Sequence, residues 1–164
     1  MYFFPFILQD WKANKGNTKG RVILLLFRMA NFAATRKIYR YLGFLYLLFY
    51  RILVEWLLSI EIPWNTRIGK NFKLYHGQAT VFNNQVVIGE NCTVRHCTTI
   101  GNKVFSDGTI SMSPVLGNNV EIGCSVIIIG NITIGNNVRI GAGSVVTKSI
   151  PDNSTVVGNP ARII

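Results

Sequence analysis

Two histidines are the side chains of this chain best suited to acid–base chemistry. His76 and His96 are the only histidines among its 164 residues. An imidazole with its usual pKa near 6.5 can take up and release a proton at neutral pH, so either could act as a general base. A surface turn without a catalytic role is the alternative, and it stays open for His96. His76 is favoured because Glu61, shortly before it, could hold its ring in one orientation.

The elements that position these histidines are six-residue repeats. A large aliphatic residue recurs at every sixth position over the second half of the chain: Leu116, Ile122, Ile128, Ile134, Ile140 and Val146. A period of six fits neither an α-helix nor a flat sheet. It fits a chain that turns every six residues and closes a three-sided coil every eighteen, which predicts a mainly β fold, the parallel β-helix.

The same six-residue step extends towards the N-terminus and fixes the expected place of both histidines. Leu74 and Val94 are repeat aliphatics, and each stands two positions before a histidine. The spacing predicts His76 and His96 on one edge of the prism, one coil apart. Excess residues indicate a small bulge near residues 77–84. They also indicate a polar loop at about residues 102–114, four residues beyond two repeat units, and such excursions usually carry function.

Three segments are expected along the chain: a helical region at 1–62, the β-helix at 63–151 and a C-terminal extension at 152–164. The helical region should hold an apolar helix over about 21–35, with Arg21 and Arg28 on its rim, and an aromatic helix over about 36–60. Arg51 and Glu55 are spaced to pair on the second helix. No uncharged run there approaches the roughly twenty residues of a membrane span.

Charge and composition limit the classes of binding partner that this chain could have. Residues 1–60 carry nine Lys or Arg against two acids, a net +7 of the chain's +10. Anionic membrane, a phosphorylated cofactor and nucleic acid are compatible with this charge, and nucleic acid ranks last because no motif for it appears. The helices are expected to pack against another subunit, or else to lie at a membrane surface. Three cysteines within repeat units predict free thiols in a cytoplasmic protein.

Several longer motifs give the chain a family resemblance. They are Ile60-Glu61-Ile62, His76-Gly77, Arg95-His96 with Thr99-Ile100-Gly101-Asn102, and the ending from Gly141-Ala142-Gly143 to Asn159-Pro160-Ala161-Arg162. With these motifs the chain resembles the hexapeptide-repeat acyltransferases of the left-handed β-helix class. Within them it is most similar to the serine acetyltransferase branch and its colanic acid biosynthesis acetyltransferases.

The resemblance implies a homotrimer with active sites in clefts between neighbouring prisms, and acetyl-CoA as co-substrate. It places the catalytic imidazole at His76 and the carboxylate that orients it at Glu61. Acetyl-CoA is expected along the coil edge; the candidate contacts are Gly123, Gly141, Ala142, Lys148 and Arg162. No metal is required. The candidate acceptor contacts are Tyr75, His96, Met112 and Ser113.

Two departures from the serine acetyltransferases favour a sugar acceptor. Met112 and Ser113 stand where those enzymes carry the Arg-His pair that receives the serine carboxylate, and Tyr75 replaces an Asp. A carboxylate left without its cation should be rejected strongly. The predicted function is therefore O-acetylation of a sugar or lipid-linked oligosaccharide for surface polysaccharide. Serine O-acetylation for cysteine biosynthesis and a non-catalytic scaffold are the alternatives.

Overall fold

Fifteen short strands wind into a three-sided prism in the computed structural model, which describes residues 2–35 and 37–164. Strands are numbered in chain order. Sheet A contains β1 (Ile60–Glu61), β4 (Thr80–Phe82), β7 (Thr99–Gly101), β10 (Ile127–Ile129) and β13 (Val145–Val146). Sheet B contains β2 (Arg67–Ile68), β5 (Val87–Ile88), β8 (Val115–Leu116) and β11 (Thr133–Ile134). Sheet C contains β3 (Lys73–Tyr75), β6 (Thr93–Arg95), β9 (Glu121–Ile122), β12 (Arg139–Ile140), β14 (Thr155–Val157) and β15 (Arg162–Ile163).

The repeat aliphatics form the core of the prism, as the period of six predicts. Each sheet stacks its aliphatics in register from coil to coil; Ile88 lies beside Leu116 in sheet B, and Val94 beside Ile122 in sheet C. All of these side chains are buried. Every strand pairing is parallel except that of β14 with β15, which closes the last coil. Residues 155–157, in the expected C-terminal extension, thus still add a strand to sheet C.

The corner between sheets B and C explains the many asparagines of the repeats. Five of them occupy the left-handed backbone region there: Asn71, Asn91, Asn119, Asn137 and Asn153. Asparagine tolerates this conformation better than most residues with a side chain. Stacked neighbours also bond to each other, with the Asn119 amide donating to Asn137 Oδ1 at 2.9 Å. The corner residue therefore supplies both the turn and a hydrogen-bonded ladder.

The helical region differs in detail from the prediction. Its helices are α1 (Phe3–Ile7), α2 (Thr18–Ala34), α3 (Lys37–Leu42), α4 (Phe44–Tyr50) and a π-helical segment (Arg51–Leu57). The expected aromatic helix is divided at Gly43, and its expected first residue, Arg36, lies outside the described residues. The predicted pair is confirmed, with Arg51 Nε 3.4 Å from a Glu55 carboxylate oxygen. In the described part of the chain, no helix is long and apolar enough to cross a membrane.

Arg28 was predicted on the rim of its helix, and that prediction is wrong. Its side chain is buried and its Nε lies 2.7 Å from Asp10 Oδ2. The guanidinium also donates to the carbonyl oxygens of Ile68 and Gly69 at 2.7 and 2.6 Å. Burial is tolerated because every charge in this cluster has a partner. The cause is the neighbouring segment, since Asp10 reaches Arg28 from a stretch that the sequence marks only as polar.

This cluster belongs to a polar cap over the first coil. The first strand of each sheet has an edge with unpaired backbone groups, which would template association if left open. Asp10 and Asn14 bond to the backbone of Phe72 in front of β3, and Asn14 Oδ1 also accepts from Leu74 N at 3.3 Å. Tyr50 donates to the carbonyl of Ile62 behind β1 at 2.8 Å. The helices thus close the top of the prism.

Two insertions depart from the regular coil. Residues 76–78 link Tyr75 to Ala79, whereas His96 alone occupies the equivalent corner one coil below. The second insertion, the loop at residues 102–114, lies between β7 and β8 and holds a bridge between Val104 and Ile110. The loop replaces a single corner, because the corresponding segments in the coils above and below run directly from sheet A to sheet B. The excess is therefore ten residues over one six-residue unit, and not four over two units.

Candidate active site

The two histidines meet at the corner between sheets C and A, where the repeat spacing predicts them. Their ring centroids are 5.5 Å apart, with the ring planes at 80°. His76 is exposed and its φ of 68° lies in the left-handed region, because the two additional residues push this corner outwards. His96 is half-buried and its Nδ1 is buried without a hydrogen-bond partner in the described structure. Only His76 presents its imidazole fully to a ligand.

Glu61 lies in sheet A, on the other side of this corner from sheet C. It is exposed on β1, where it pairs with Val81 of β4, the strand that leaves the His76 corner. Among the described residues, its carboxylate makes no hydrogen bond or ion pair, with His76 or with any other side chain. The role of Glu61 in orienting the imidazole therefore stays a prediction.

A groove along the outer face of sheet C, here called the C groove, holds most of the residues expected to bind acetyl-CoA. Its volume is about 360 Å³ and its lining includes Gly123, Gly141 and Ala142. A Cβ on Gly123 would lie 2.6 Å from the backbone N of Ala142, so only glycine allows the coils to stack here. Lys148 and Arg162 are exposed but do not line this groove.

The C groove also contains cations that the sequence did not single out. Lys73, Arg95 and Arg139 line it, and Arg139 lies 3.8 Å from the exposed carboxylate of Glu121. The Arg95 guanidinium sits 5.1 Å from the ring centroid of Tyr75, so it covers one face of that ring. The strand register could have predicted these cations, since Lys73 and Arg139 occupy outward positions of the same sheet.

A second groove, here called the A groove, runs along sheet A on the other side of the histidine corner. Its volume is about 600 Å³, and Glu61, Trp64 and Arg51 form its upper wall. The Arg51 guanidinium lies 4.3 Å from the Trp64 ring centroid and pairs with Glu55. Burial raises the pKa of Glu55; Arg51 lowers it by less, and the Glu61 carboxylate raises it further. Arg51 is thus already engaged by an anion and by a ring.

The loop residues that replace the Arg-His pair of the serine enzymes do not line the A groove, but one of them contacts its lining. Met112 is exposed on the loop, with 70% of its surface accessible. Ser113 is buried and donates to Asn83 Oδ1 at 3.0 Å, which ties the base of the loop to the groove. No group of three potential metal ligands occurs in the part of the chain that the structure describes.

Comparison with known proteins decides the family. The bacterial transferase hexapeptide model, of six repeats, matches residues 113–148. A protein of Escherichia coli strain K12, with the provisional name colanic acid biosynthesis acetyltransferase WcaB, is 43% identical over 162 residues. That alignment covers 96% of this chain and 98% of the relative. The chain belongs to the hexapeptide-repeat acetyltransferases. The predicted family is confirmed.

Serine acetyltransferases are also similar to this chain, over a shorter stretch of sequence. Serine acetyltransferase 3 of Arabidopsis thaliana is 42% identical over 106 residues, 65% of this chain and 27% of that protein. The soybean serine acetyltransferase apoenzyme superposes with a TM-score of 0.80 at 29% identity, covering 99% of this chain and 69% of that one. This likeness confirms the left-handed β-helix with an N-terminal helical region. A serine acetyltransferase in complex with CoA, 21% identical, shares the fold with a TM-score of 0.79.

Proposed function

We propose that this protein is an acetyl-CoA-dependent O-acetyltransferase acting on a sugar hydroxyl in surface polysaccharide biosynthesis. The observation that carries the proposal is the likeness to a colanic acid biosynthesis acetyltransferase along nearly the whole of both chains. Similarity to the serine acetyltransferase of Arabidopsis covers only 65% of this chain. Met112 and Ser113 support the same choice, because neither offers a cation to an amino-acid carboxylate.

In this proposal His76 is the general base. Its exposed imidazole takes the proton from the acceptor hydroxyl as that oxygen attacks the thioester carbon of acetyl-CoA. The C–S bond then breaks, the acetyl group remains on the sugar oxygen, and the proton passes from His76 to the leaving thiolate. Backbone N–H groups stabilise the negative oxygen that develops during attack. Glu61 is the proposed partner of the protonated imidazole, and no acyl-enzyme forms.

The donor is proposed to lie along the column of corner residues below His76. This column continues through His96 to Ala142 and borders the C groove. Gly123 and Gly141 are candidates to contact the pantetheine chain through their backbone groups, while Lys148 and Arg162 are candidates for its phosphates. The protein is proposed to act as a homotrimer, in which a neighbouring prism completes each cleft. No metal is proposed to take part.

Replacing His76 tests the assignment of the base. His76→Ala should lower kcat by about 10²–10⁴-fold, the usual contribution of a positioned acid–base group. Its CoA affinity, measured by calorimetry, and its trimer mass, measured by light scattering, should match the wild type. His76→Gln, which keeps hydrogen bonding without basicity, should be equally slow. A variant that retains most of the wild-type rate would show that another residue is the base.

Serine O-acetylation is the second candidate because the solved relatives are serine acetyltransferases. Release of CoA from acetyl-CoA, followed with L-serine or with uncharged oligosaccharides, separates the two. Faster release with L-serine would reverse the choice of acceptor. The scaffold alternative predicts no CoA binding at all, so measurable CoA affinity would exclude it.

The protein is further proposed to be cytoplasmic and to attach peripherally to the inner face of the membrane. An apolar surface on α3, α4 and the π-helical segment supports this, with Tyr41 83% and Leu45 76% exposed. Arg40 lies in the same surface, so anionic lipid could be held by charge as well as by apolar contact. A lipid-linked acceptor would then lie close to the site.

A further inference from the structure

Two asparagines of the A groove, Asn84 and Asn102, differ from those at the corner between sheets B and C. At the corner between sheets B and C, stacked asparagines bond to each other; Asn71 donates to Asn91 at 3.0 Å and Asn137 to Asn153 at 2.9 Å. Such a ladder uses the amide groups within the protein.

Asn84 and Asn102 occupy equivalent positions on adjacent coils but form no such ladder. They follow Asn83 and Gly101, which lie side by side because Asn83 N donates to the carbonyl of Ile100 at 2.8 Å. Within the described structure, neither Asn84 nor Asn102 makes a side-chain hydrogen bond, and both line the A groove. Each offers one carbonyl oxygen and two N–H donors to whatever enters.

The other polar groups of the A groove are open in the same way. The Glu61 carboxylate and the Thr99 hydroxyl face the groove without a hydrogen-bond partner in the described part of the chain. Among the described residues that line the groove, Arg51 is the one cation, and it is already paired with Glu55 and held over Trp64. The free groups therefore suit hydroxyls, which both donate and accept, better than a carboxylate, which needs an uncommitted cation.

Size and position agree with this chemistry. A volume of about 600 Å³ falls within the range of about 300–1,000 Å³ typical of small-molecule sites. Strand β4, which leaves the His76 corner, forms part of the groove floor through Val81 and Phe82. The base of the loop is tied to the groove lining through the bond of Ser113 to Asn83. A ligand in this groove would lie beside the catalytic corner proposed above.

We infer that the A groove is the acceptor subsite and binds an uncharged pyranose unit, whose hydroxyls bond to Asn84, Asn102 and Thr99. This inference rests on the proposed function and adds the residues that select the acceptor. Asn84 and Asn102 bind and position the sugar, while His76 performs the chemistry. A hexuronic acid or a free amino acid is disfavoured, because its carboxylate finds no uncommitted cation in the described lining.

Gly101 offers a way to fill the groove while preserving the fold. A Cβ placed there would meet only Asn83 Cβ, at an ordinary contact distance of 3.7 Å, and the backbone is not in the left-handed region. Gly101→Ala should therefore fold as the wild type does. Gly101→Leu extends a branched side chain into the groove and should exclude a sugar ring. Asn131, exposed in the same type of corner one coil below Gly101, provides the control Asn131→Leu because it does not line the groove.

The test combines binding and kinetics on the full-length protein. The probes are methyl α-glucopyranoside, methyl β-galactopyranoside and maltotetraose at 50 mM, with glucuronic acid and L-serine for comparison, read by saturation-transfer NMR in the presence of CoA. We expect a signal from at least one neutral pyranoside, and a loss of about tenfold or more in Gly101→Leu and in Asn84→Leu/Asn102→Leu. Asn131→Leu should keep the signal.

Different outcomes of this test contradict the acceptor subsite and the proposed function. Normal CoA affinity in both groove variants, with the sugar signal lost, supports the subsite. Unchanged signals in the groove variants, or no signal from any neutral pyranoside while CoA still binds, would overturn the subsite and leave the acetyltransferase proposal standing. Stronger binding of L-serine than of any sugar would overturn it too. Absence of CoA binding in the wild type would instead contradict the proposed function.

Discussion

The three cysteines of this chain differ in burial and therefore in the expected reactivity of their thiols. Cys97 directly follows His96 at the histidine corner and is exposed, Cys124 is half-buried one coil below, and Cys92 is buried in the core. Burial raises the pKa of the Cys92 thiol, and backbone hydrogen bonds from Val120 and Asn119 oppose this only in part. Because the thiolate is the reactive form, Cys92 should be inert in the folded protein.

Alkylation of the native protein should therefore mark the histidine corner. Iodoacetamide at pH 7.5 is expected to modify Cys97 first and to leave Cys92 unmodified until the protein is unfolded. Bound CoA should slow the modification of Cys97 if the donor lies along this corner. Peptide mass spectrometry over time gives the three rates, and Cys97→Ser serves as the control. Equal rates for Cys92 and Cys97 in the native protein would contradict the burial seen here.

At the scale of single residues, the repeat determines how well positions can be predicted from sequence. His76 and His96 could be placed on one corner because each follows a repeat aliphatic by two residues. The buried state of Arg28 could not be foreseen, since it depends on Asp10 in a segment that has no repeat. The A groove was not predicted for a similar reason. Arg51 lines it from a helical segment, and the repeat pattern does not show where the helices pack on the prism.

The polar cap is the element that joins the helices to the prism, and Arg28 is its centre. Arg28→Leu should destabilise the fold by about 3–5 kcal/mol, because it leaves the Asp10 carboxylate buried without its cation. Asp10→Asn combined with Arg28→Leu should cost less than the single change, since no lone charge remains. Urea unfolding followed by circular dichroism measures both. Arg21→Leu removes a half-buried cation of the same helix that donates to the Trp11 carbonyl at 3.0 Å, and it leaves no charge buried. It should therefore cost only about 1 kcal/mol.

An Arg28→Leu protein as stable as the Arg21→Leu control would show that the cap contributes little. The polar cap also protects the edge strands. If the cap opens, the backbone of β3 is exposed, and we expect the variant to aggregate more readily on heating than the wild type.

The loop between β7 and β8 is expected to serve the acceptor and to be dispensable for the fold. Deleting residues 103–112 leaves Ile100 and Leu116 six residues apart, the spacing found from Phe82 to Ile88. The coil should therefore close normally, with trimer mass and CoA affinity preserved. Acetyl transfer to an oligosaccharide should fall because Met112, a candidate acceptor contact, is removed and Asn102 and Ser113 beside the A groove are displaced. Unfolding of the deletion protein would show that the loop is structural.

At the scale of the whole molecule, charge and apolar surface are concentrated at one end. Residues 1–60 hold nine cations against two acids, and residues 61–164 hold eight against five. The large exposed apolar side chains are densest at the same end: Tyr41, Leu42, Phe44, Leu45, Leu48, Phe49, Ile52, Trp56 and Leu57. Pairing this surface with a second copy would bring two segments of net +7 together. An anionic lipid surface neutralises the same charge, at about 1 kcal/mol per basic residue.

Membrane attachment can be measured with vesicles of defined composition. The wild type should sediment with vesicles containing 30% phosphatidylglycerol in phosphatidylcholine, and its binding should weaken as salt rises. Leu45→Glu/Leu57→Glu places two acids in the apolar surface and should reduce binding by about tenfold or more, while CoA affinity is unchanged. Ile110→Glu, an equally exposed change on the loop, should bind as the wild type does. Equal sedimentation with pure phosphatidylcholine, or dimerisation through this surface that Leu45→Glu/Leu57→Glu abolishes, would assign the surface to another partner.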